Sequence, residues 1–164
     1  MDLSQNKIFE ICRNGDLQSL QELVSNNPDC INMQDEKGFT PLILSGYNNH
    51  PLIVEYLLNH KANQSLADAA GNSALMGVCF KGYLDIVEQL LKYDPPINQR
   101  NLQGACALTF AVSSNHTDIA LLLLENGADL TLPDLRGKSP LDYARIQENW
   151  ELFDLMSSYN QSGE

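Results

Sequence analysis

The sequence lacks long hydrophobic runs, and it begins with no recognisable targeting segment. No stretch approaches the roughly 18 uninterrupted apolar residues that a membrane helix needs, so we expect a soluble protein with no membrane partner. The first residues lack the basic segment followed by an apolar segment that marks secretory signals. These two absences predict a cytoplasmic location.

Positive charge is also scarce. Ten Lys and Arg residues face 21 Asp and Glu residues, which gives a formal net charge of −11. The average surface of such a chain repels the phosphate backbone of a nucleic acid. We therefore expect no nucleic-acid partner.

Groupings of residues that carry out catalysis or hold metals are missing as well. The four cysteines, at positions 12, 30, 79 and 106, form no Cys-x-x-Cys pair, and we interpret them as reduced. His50 and His116 occupy the same phase of the repeat described below and are interpreted as packing residues. The glycine-rich segment 71–77 lacks the residues of a phosphate loop or a dinucleotide fingerprint. Neither a pair of acids nor a nucleophile–histidine–acid grouping is apparent, so we predict no enzyme, no cofactor and no metal.

A period of 33 residues organises what is present. Glycine recurs at positions 38, 71, 104 and 137, and each glycine opens a matching line: Gly-Phe-Thr-Pro-Leu, Gly-Asn-Ser-Ala-Leu, Gly-Ala-Cys-Ala-Leu and Gly-Lys-Ser-Pro-Leu. Thr40 and Ser139 are good helix N-caps, and the prolines after them suit the first helical position. Apolar runs starting at Ile53, Ile86 and Ile119 predict a second, amphipathic helix in each copy. A fixed period of this length is typical of a repeat architecture.

The unit resembles the ankyrin repeat, whose Asp-x-x-Gly-x-Thr-Pro-Leu-His line is approached by residues 35–42 and whose Gly-Ala-Asp ending is matched by residues 127–129. The resemblance implies an all-α solenoid of five helix-turn-helix repeats linked by β-hairpin-like loops. We divide the single domain 1–164 into an N-terminal capping repeat 1–34, inner repeats 35–67, 68–100 and 101–133, and a C-terminal capping repeat 134–164 with a tail that frays from residue 157.

Departures from the family pattern carry two further expectations. The family's His after Pro-Leu is replaced by Ile43, Met76, Thr109 and Asp142, which should remove a hydrogen bond at the start of the helix. The segment 94–106 should be a weak junction, because Asp-Pro-Pro replaces the favoured glycine ending and Cys106 replaces a hydroxyl cap.

The resemblance also implies a concave binding face made of hairpin tips and exposed positions of the first helices. Over these positions five residues are basic and only Glu36 is acidic, so the face is far less acidic than the rest of the chain. Tyr47 and Phe80 are the expected anchors for an acidic or mixed-charge protein. The predicted partner-binding residues are Lys37, Phe39, Tyr47, Phe80, Lys81, Arg100, Leu102, Leu135, Arg136 and Lys138.

These features predict a monomeric protein-binding scaffold that acts in trans as an inhibitor, an adaptor or an immunity or protective factor. The stretch from Gly71 to Leu91 is similar to small stand-alone bacterial ankyrin proteins, some of which are associated with catalase and oxidative-stress protection. One alternative is an inhibitor of cyclin-dependent kinases of the five-repeat type, although that group shortens a helix that here, at 40–48, reads as full length. A cysteine- or metal-dependent regulator is a further alternative.

Overall fold

The computed structural model describes the backbone of residues 3–161 and the side chains of residues 7–159. Within that range the chain forms ten α-helices in five consecutive pairs, together with a short 3-10 helix at Pro28–Asn32. The pairs are α1 Leu3–Asn14 and α2 Leu17–Asn26, α3 Pro41–Tyr47 and α4 Pro51–Asn59, α5 Ala74–Lys81 and α6 Leu84–Leu91, α7 Ala107–Ser113 and α8 Thr117–Glu125, α9 Pro140–Ile146 and α10 Trp150–Gln161. This is the all-α repeat solenoid that the sequence predicts.

The helices lie in two layers. The first helix of each pair packs on the first helices of the adjacent pairs, and the second helices stack behind them in the same way. One core of buried apolar side chains runs between the layers from Ile8 to Met156. Among the described helices, none combines the length and the apolar character that a bilayer-spanning segment requires. The first helices pack against the second helices on one side of their layer, and the other side is open.

Side-chain caps start the repeated first helices, as the sequence predicts. Thr40, Ser73 and Ser139 each accept a hydrogen bond from the backbone N–H three residues later, at 3.1, 3.3 and 3.2 Å. Cys106 occupies the fourth equivalent position, where a thiol is a weaker acceptor than a hydroxyl. The cap accounts for one N–H that the first helical turn leaves without a partner.

The expected loss of a hydrogen bond after Pro-Leu is wrong at three of the four positions. At Met76 the acceptor is the sulfur, to which the backbone N–H of Ser73 donates at 3.5 Å. Thr109 Oγ1 accepts from the backbone N–H of Cys106 at 3.2 Å, and Asp142 Oδ2 accepts from the backbone N–H of Ser139 at 3.0 Å. All three side chains reach back to the residue that caps their own helix, as in a capping box. A thioether sulfur, a hydroxyl and a carboxylate therefore replace the bond that was expected to be lost.

The loops between pairs are closed by one acceptor side chain at a fixed position. Asp35, Asp68, Asn101 and Asp134 each accept from the backbone N–H groups two and four residues later, at 2.8 to 3.0 Å. Within the second loop, Ala67 and Ser73 form an antiparallel bridge. These turns project the hairpin-like loops that the family resemblance implies.

Backbone hydrogen bonds join the tips of successive loops. The N–H groups of Ala69, Leu102 and Leu135 donate to the carbonyls of Lys37, Ala70 and Gln103, at 2.8, 3.0 and 2.9 Å. The side chains at the tips take no part in these bonds. The line of tips is thus held by the main chain from the second repeat to the last.

A residue with a left-handed backbone conformation joins the two helices of each pair. Two of these residues are glycines, and a histidine ring covers each of the two. A Cβ atom on Gly82 would lie 2.5 Å from Cε1 of His116, and one on Gly15 would lie 2.6 Å from Nδ1 of His50. The Nε2 atoms of His50 and His116 bond to the carbonyls of Arg13 and Phe80, at 2.8 and 3.2 Å. Both histidines therefore pack between repeats, which confirms their interpretation as packing residues.

The junction after α6 and the end of the chain differ from the regular pattern. Asp94 adopts a left-handed backbone, with φ of 46°, at the position where the next repeat has Gly127. Such a conformation strains a residue that carries a side chain, so the expectation of a weak junction at 94–106 keeps a physical basis.

The C-terminal tail differs from the expectation of fraying from residue 157, because α10 includes residues 157–161. Residues 162–164 of the predicted frayed tail lie outside the described residues.

Candidate binding groove

A groove of about 510 Å³ runs along α3 and α5 on the open side of the first-helix layer, and we call it the central groove. Two rings stand at its edge, with Tyr47 44% exposed and Phe80 49% exposed. Phe80 meets Phe110 of the next repeat edge to face, with ring centroids 6.2 Å apart. The apolar residues that line the groove are Phe39, Ile43, Leu44, Tyr47, Met76, Phe80 and Phe110.

Two further concavities continue the central groove in both directions. One, of about 600 Å³, shares Arg13, Phe39 and Leu44 with it and extends over α1. The other, of about 230 Å³, shares Phe110 and extends toward α9. The three together form a continuous surface along the stack, long enough for an extended segment of another chain.

Three charged residues stand at the groove, and only Arg13 has an ion-pair partner among the described side chains. Arg13 Nη2 lies 3.0 Å from Asp35 Oδ2. Asp68, in the groove wall, accepts the N–H groups of its own turn. Lys81 is exposed, and its Nζ lies 5.0 Å from the centroid of the Tyr47 ring, a cation–π distance. Among the side chains that the structure describes, no carboxylate lies within ion-pair distance of Lys81.

The predicted partner-binding residues divide between the groove and the loop tips. Phe39, Tyr47 and Phe80 line the central groove, and Lys81 lies at its rim. Phe39 is half-buried and packs against the core, so part of its role is structural. Lys37 and Arg136 line the two flanking concavities. Leu102 and Leu135, at the loop tips, are 66% and 72% exposed, and Lys138 is exposed beside them.

Arg100 has structural contacts that the sequence did not reveal. Its Nε donates to the carbonyl of Gly104 at 3.0 Å, and its Nη2 donates to the carbonyl of Pro133. The guanidinium thus ties one loop to the next. Its contribution to a basic rim is limited by these bonds, and its role in partner binding stays a prediction.

Sequence reasoning missed Arg13, Met76, Gly77 and Phe110, all of which line the central groove. Arg13 falls in the first repeat, where a one-residue insertion displaces the 33-residue phase. Phe110 and Gly77 share a phase with Leu44, whose position faces the groove. Extending the repeat alignment to the phase of Leu44 would have identified Gly77 and Phe110 from the sequence.

The cysteine thiols lie in the interior of the solenoid. All four are buried free thiols. Burial raises the pKa of Cys12 to about 12 and raises the pKa of Cys79 further, with a smaller effect from the neighbouring thiols Cys30 and Cys106. Over the described side chains, no three His, Cys, Asp or Glu residues lie close enough together to hold a metal ion. The thiolate form that reacts or binds metals is disfavoured at Cys12 and Cys79.

Comparison with known proteins gives the family. A family model described as ankyrin repeats matches in three overlapping copies, at residues 8–101, 52–134 and 78–162. The putative ankyrin repeat protein YahD of Escherichia coli is 32% identical over 143 residues, which covers 84% of this chain and 71% of YahD. The probable 26S proteasome regulatory subunit p28 of Saccharomyces cerevisiae is 26% identical over 98% of this chain and 72% of p28.

A second yeast relative is matched over a smaller share of its length. The target of rapamycin complex 2 subunit AVO2 is 29% identical over 82% of this chain, and the chain spans 33% of AVO2. The family-model matches together run from residue 8 to residue 162, so the last four helix pairs each lie inside at least one copy and the first pair is matched from residue 8 onward. The chain therefore belongs to the ankyrin-repeat family.

Proposed function

We propose that this chain is a non-catalytic scaffold that binds another protein through the central groove and acts in trans as an inhibitor, an adaptor or a protective factor. The observation that carries the proposal is the exposure of Tyr47 and Phe80 at the edge of an apolar groove. Folding leaves about half of each ring in water, and aromatic anchors of this kind are typical of binding hot spots. The relatives p28 and AVO2 are by name subunits of protein assemblies, which is consistent with such a role.

The charge distribution favours a protein with an acidic or mixed-charge surface. The chain carries a net charge of −11, yet Lys37, Lys81, Arg136 and Lys138 are exposed along the groove and the loop tips. Opposite charges across an interface steer the encounter and orient the partner. The same net charge disfavours nucleic acid. Four buried free thiols fit a reducing compartment, and we place the interaction in the cytoplasm with the chain as a monomer.

The alternatives have less support. The five-repeat kinase inhibitors shorten a first helix at the second repeat, whereas α3 has seven residues, as many as α7 and α9. A cysteine- or metal-dependent regulator needs an accessible thiolate, whereas all four thiols are buried. We therefore propose neither of them.

The test is quantitative capture of partners from the native host with purified chain as bait. The double variant Tyr47→Ala/Phe80→Ala removes both anchors. We expect at least about a tenfold loss of affinity for a partner that the wild type captures. Because about half of each ring is buried and Phe80 pairs with Phe110, the free energy of unfolding should fall by about 2–3 kcal/mol.

A matched control removes two apolar side chains from elsewhere on the surface. Leu52 on α4 and Trp150 on α10 are 64% and 56% exposed, and both lie outside the central groove. Leu52→Ala/Trp150→Ala should leave capture unchanged. Equal capture by all three proteins would disprove the groove as the binding surface, and unfolding of the anchor variant would mean that its rings belong to the core.

A further inference from the structure

A side chain is missing from one position in the row that faces the central groove. At this phase the second, fourth and fifth repeats carry Leu44, Phe110 and Tyr143, whereas the third repeat carries Gly77. Leu44, Gly77 and Phe110 all line the groove. The wall is therefore interrupted at Gly77, between two large apolar neighbours.

Nothing in the local structure requires glycine at this position. Gly77 lies inside α5 with an ordinary helical backbone, and its N–H donates to the carbonyl of Ser73 at 3.1 Å. A Cβ atom added to it would meet only Cδ2 of Tyr47, at 3.5 Å, which is an ordinary contact. Glycine inside a helix is less stable than alanine, so the gap lowers stability without a compensating contact within the chain.

The surroundings of the gap are suited to a large apolar side chain. Tyr47, Phe80 and Phe110 supply aromatic surface around Gly77. Aromatic rings pair edge to face, as Phe80 and Phe110 already do. An inserted leucine or aromatic ring would be covered on several sides.

The exposed charge beside the gap is positive. Lys81 lies one helical turn after Gly77 on α5, and its Nζ is 5.0 and 5.9 Å from the ring centroids of Tyr47 and Tyr83. Asp68 on the opposite wall already accepts the side-chain amide of Asn72 at 3.3 Å, besides its two backbone donors. A carboxylate from a partner can reach the exposed ammonium of Lys81, whereas a cation from a partner would have to approach the partly buried carboxylate of Asp68, which already accepts three hydrogen bonds.

We propose that Gly77 forms the floor of a slot that takes one large apolar side chain from an extended acidic segment of a partner protein, with a carboxylate next to that side chain meeting Lys81. The proposal rests on the proposed function and specifies what the central groove recognises. Gly77, which has neither a charge nor an apolar side chain, thereby has a role in partner recognition that is separate from the roles of Tyr47 and Phe80.

The first experiment uses three synthetic peptides with isotope-labelled protein in solution NMR. The reference peptide is Ser-Glu-Glu-Phe-Glu-Glu-Ser; one variant has Ala for Phe, and the other has Lys for every Glu. We expect the reference peptide to shift the amide signals of Gly77 and Met76 most. The Ala variant should bind at least about tenfold more weakly, because burial of the ring supplies most of the affinity. The Lys variant should also bind more weakly.

Variants of the protein then test the slot itself. Gly77→Ala should fold with a higher urea midpoint, and Gly77→Leu should fill the slot and weaken the reference peptide at least about tenfold. Gln21→Leu, on the exposed face of α2, is the matched control and should bind as the wild type does. Lys81→Glu should weaken binding about two- to fivefold, whereas Lys92→Glu, with the same charge change at the end of α6, should not.

Three results would overturn the proposal: absence of shifts at Gly77 with millimolar reference peptide, equal binding of the Phe and Ala peptides, or unchanged binding by Gly77→Leu. The captured partner separates this failure from that of the proposed function. A partner lost by Tyr47→Ala/Phe80→Ala and retained by Gly77→Leu would disprove the slot alone. A partner retained by both variants would disprove the groove as a whole.

Discussion

Replacing Gly82 with alanine should destabilise the solenoid at the joint between the third and fourth repeats. Gly82 has φ of 78°, and an added Cβ would lie 2.5 Å from Cε1 and 2.8 Å from Nε2 of His116. Alanine in a left-handed conformation costs about 1–2 kcal/mol. Displacing the ring also breaks its 3.2 Å bond to the Phe80 carbonyl, which adds about 0.5–1.5 kcal/mol. We therefore expect a total loss of roughly 2–3 kcal/mol.

Gly127 offers a control that isolates the backbone contribution. Its φ is 87°, and an added Cβ would meet nothing within 4 Å. Gly127→Ala should thus cost only the conformational part, about 1–2 kcal/mol. Urea unfolding followed by far-UV circular dichroism reports on the whole stack, and fluorescence of Trp150, the single tryptophan, reports on the last repeat. Coincident transitions would justify a two-state free energy.

A double-mutant cycle completes the argument. His116→Ala removes the ring, so Gly82→Ala made in that background should cost no more than Gly127→Ala does. Equal losses for Gly82→Ala and Gly127→Ala in the wild-type background would refute the reasoning. So would a Gly82→Ala penalty that His116→Ala fails to reduce.

Three other perturbations have expected outcomes. Asp94→Gly removes the strain of an aspartate in the left-handed conformation and should raise the free energy of unfolding by about 0.5–1 kcal/mol in urea. Lys61→Gly, at φ of 64°, is a comparable site. Amide hydrogen exchange should be faster over 94–106 than elsewhere, and uniform protection would count against a weak junction. Cys106→Ser supplies a hydroxyl cap and should add up to about 1 kcal/mol by the same assay, whereas no gain would mean that the thiol already suffices. Hydrogen bonds from the Ser139 backbone and hydroxyl lower the pKa of Asp142. Its contribution is therefore complete above about pH 4 and lost as the pH falls through the lowered pKa, so Asp142→Ala should cost about 1 kcal/mol at neutral pH and progressively less in acid.

The fold could be predicted because its determinants are local and repeated. A glycine every 33 residues, a hydroxyl three residues before a helical N–H, and an amphipathic second helix each act within one copy. Asp142 shows where this reasoning fails. The residue is not the family's histidine, yet its carboxylate accepts a hydrogen bond from the backbone N–H of Ser139 at the start of the helix. A sequence pattern that specifies histidine does not show that a carboxylate can serve as the hydrogen-bond acceptor at this position, whereas the distance between Asp142 and the Ser139 backbone N–H does.

The groove could be predicted only in part. Tyr47 and Phe80 were found because their phase places them on the open side of the first helices. Arg100 was assigned a surface role, but its bonds to the carbonyls of Gly104 and Pro133 depend on how two loops approach each other. Gly77 was overlooked because glycine has no side chain that could be recognised as a binding group. Its position is recognised only when the larger side chains around it in the groove are known.

The bonds between loop tips have a consequence for how this molecule can change over generations. Because the main chain alone links Ala69 to Lys37 and Leu135 to Gln103, the side chains at those positions can be exchanged without loss of the links. Substitutions of these side chains then alter the surface of the tips and leave the main-chain links in place. An ancestral stack of this kind could acquire new partners by drift at its tips while its melting temperature stayed the same, and related chains with different partners should differ most at these positions.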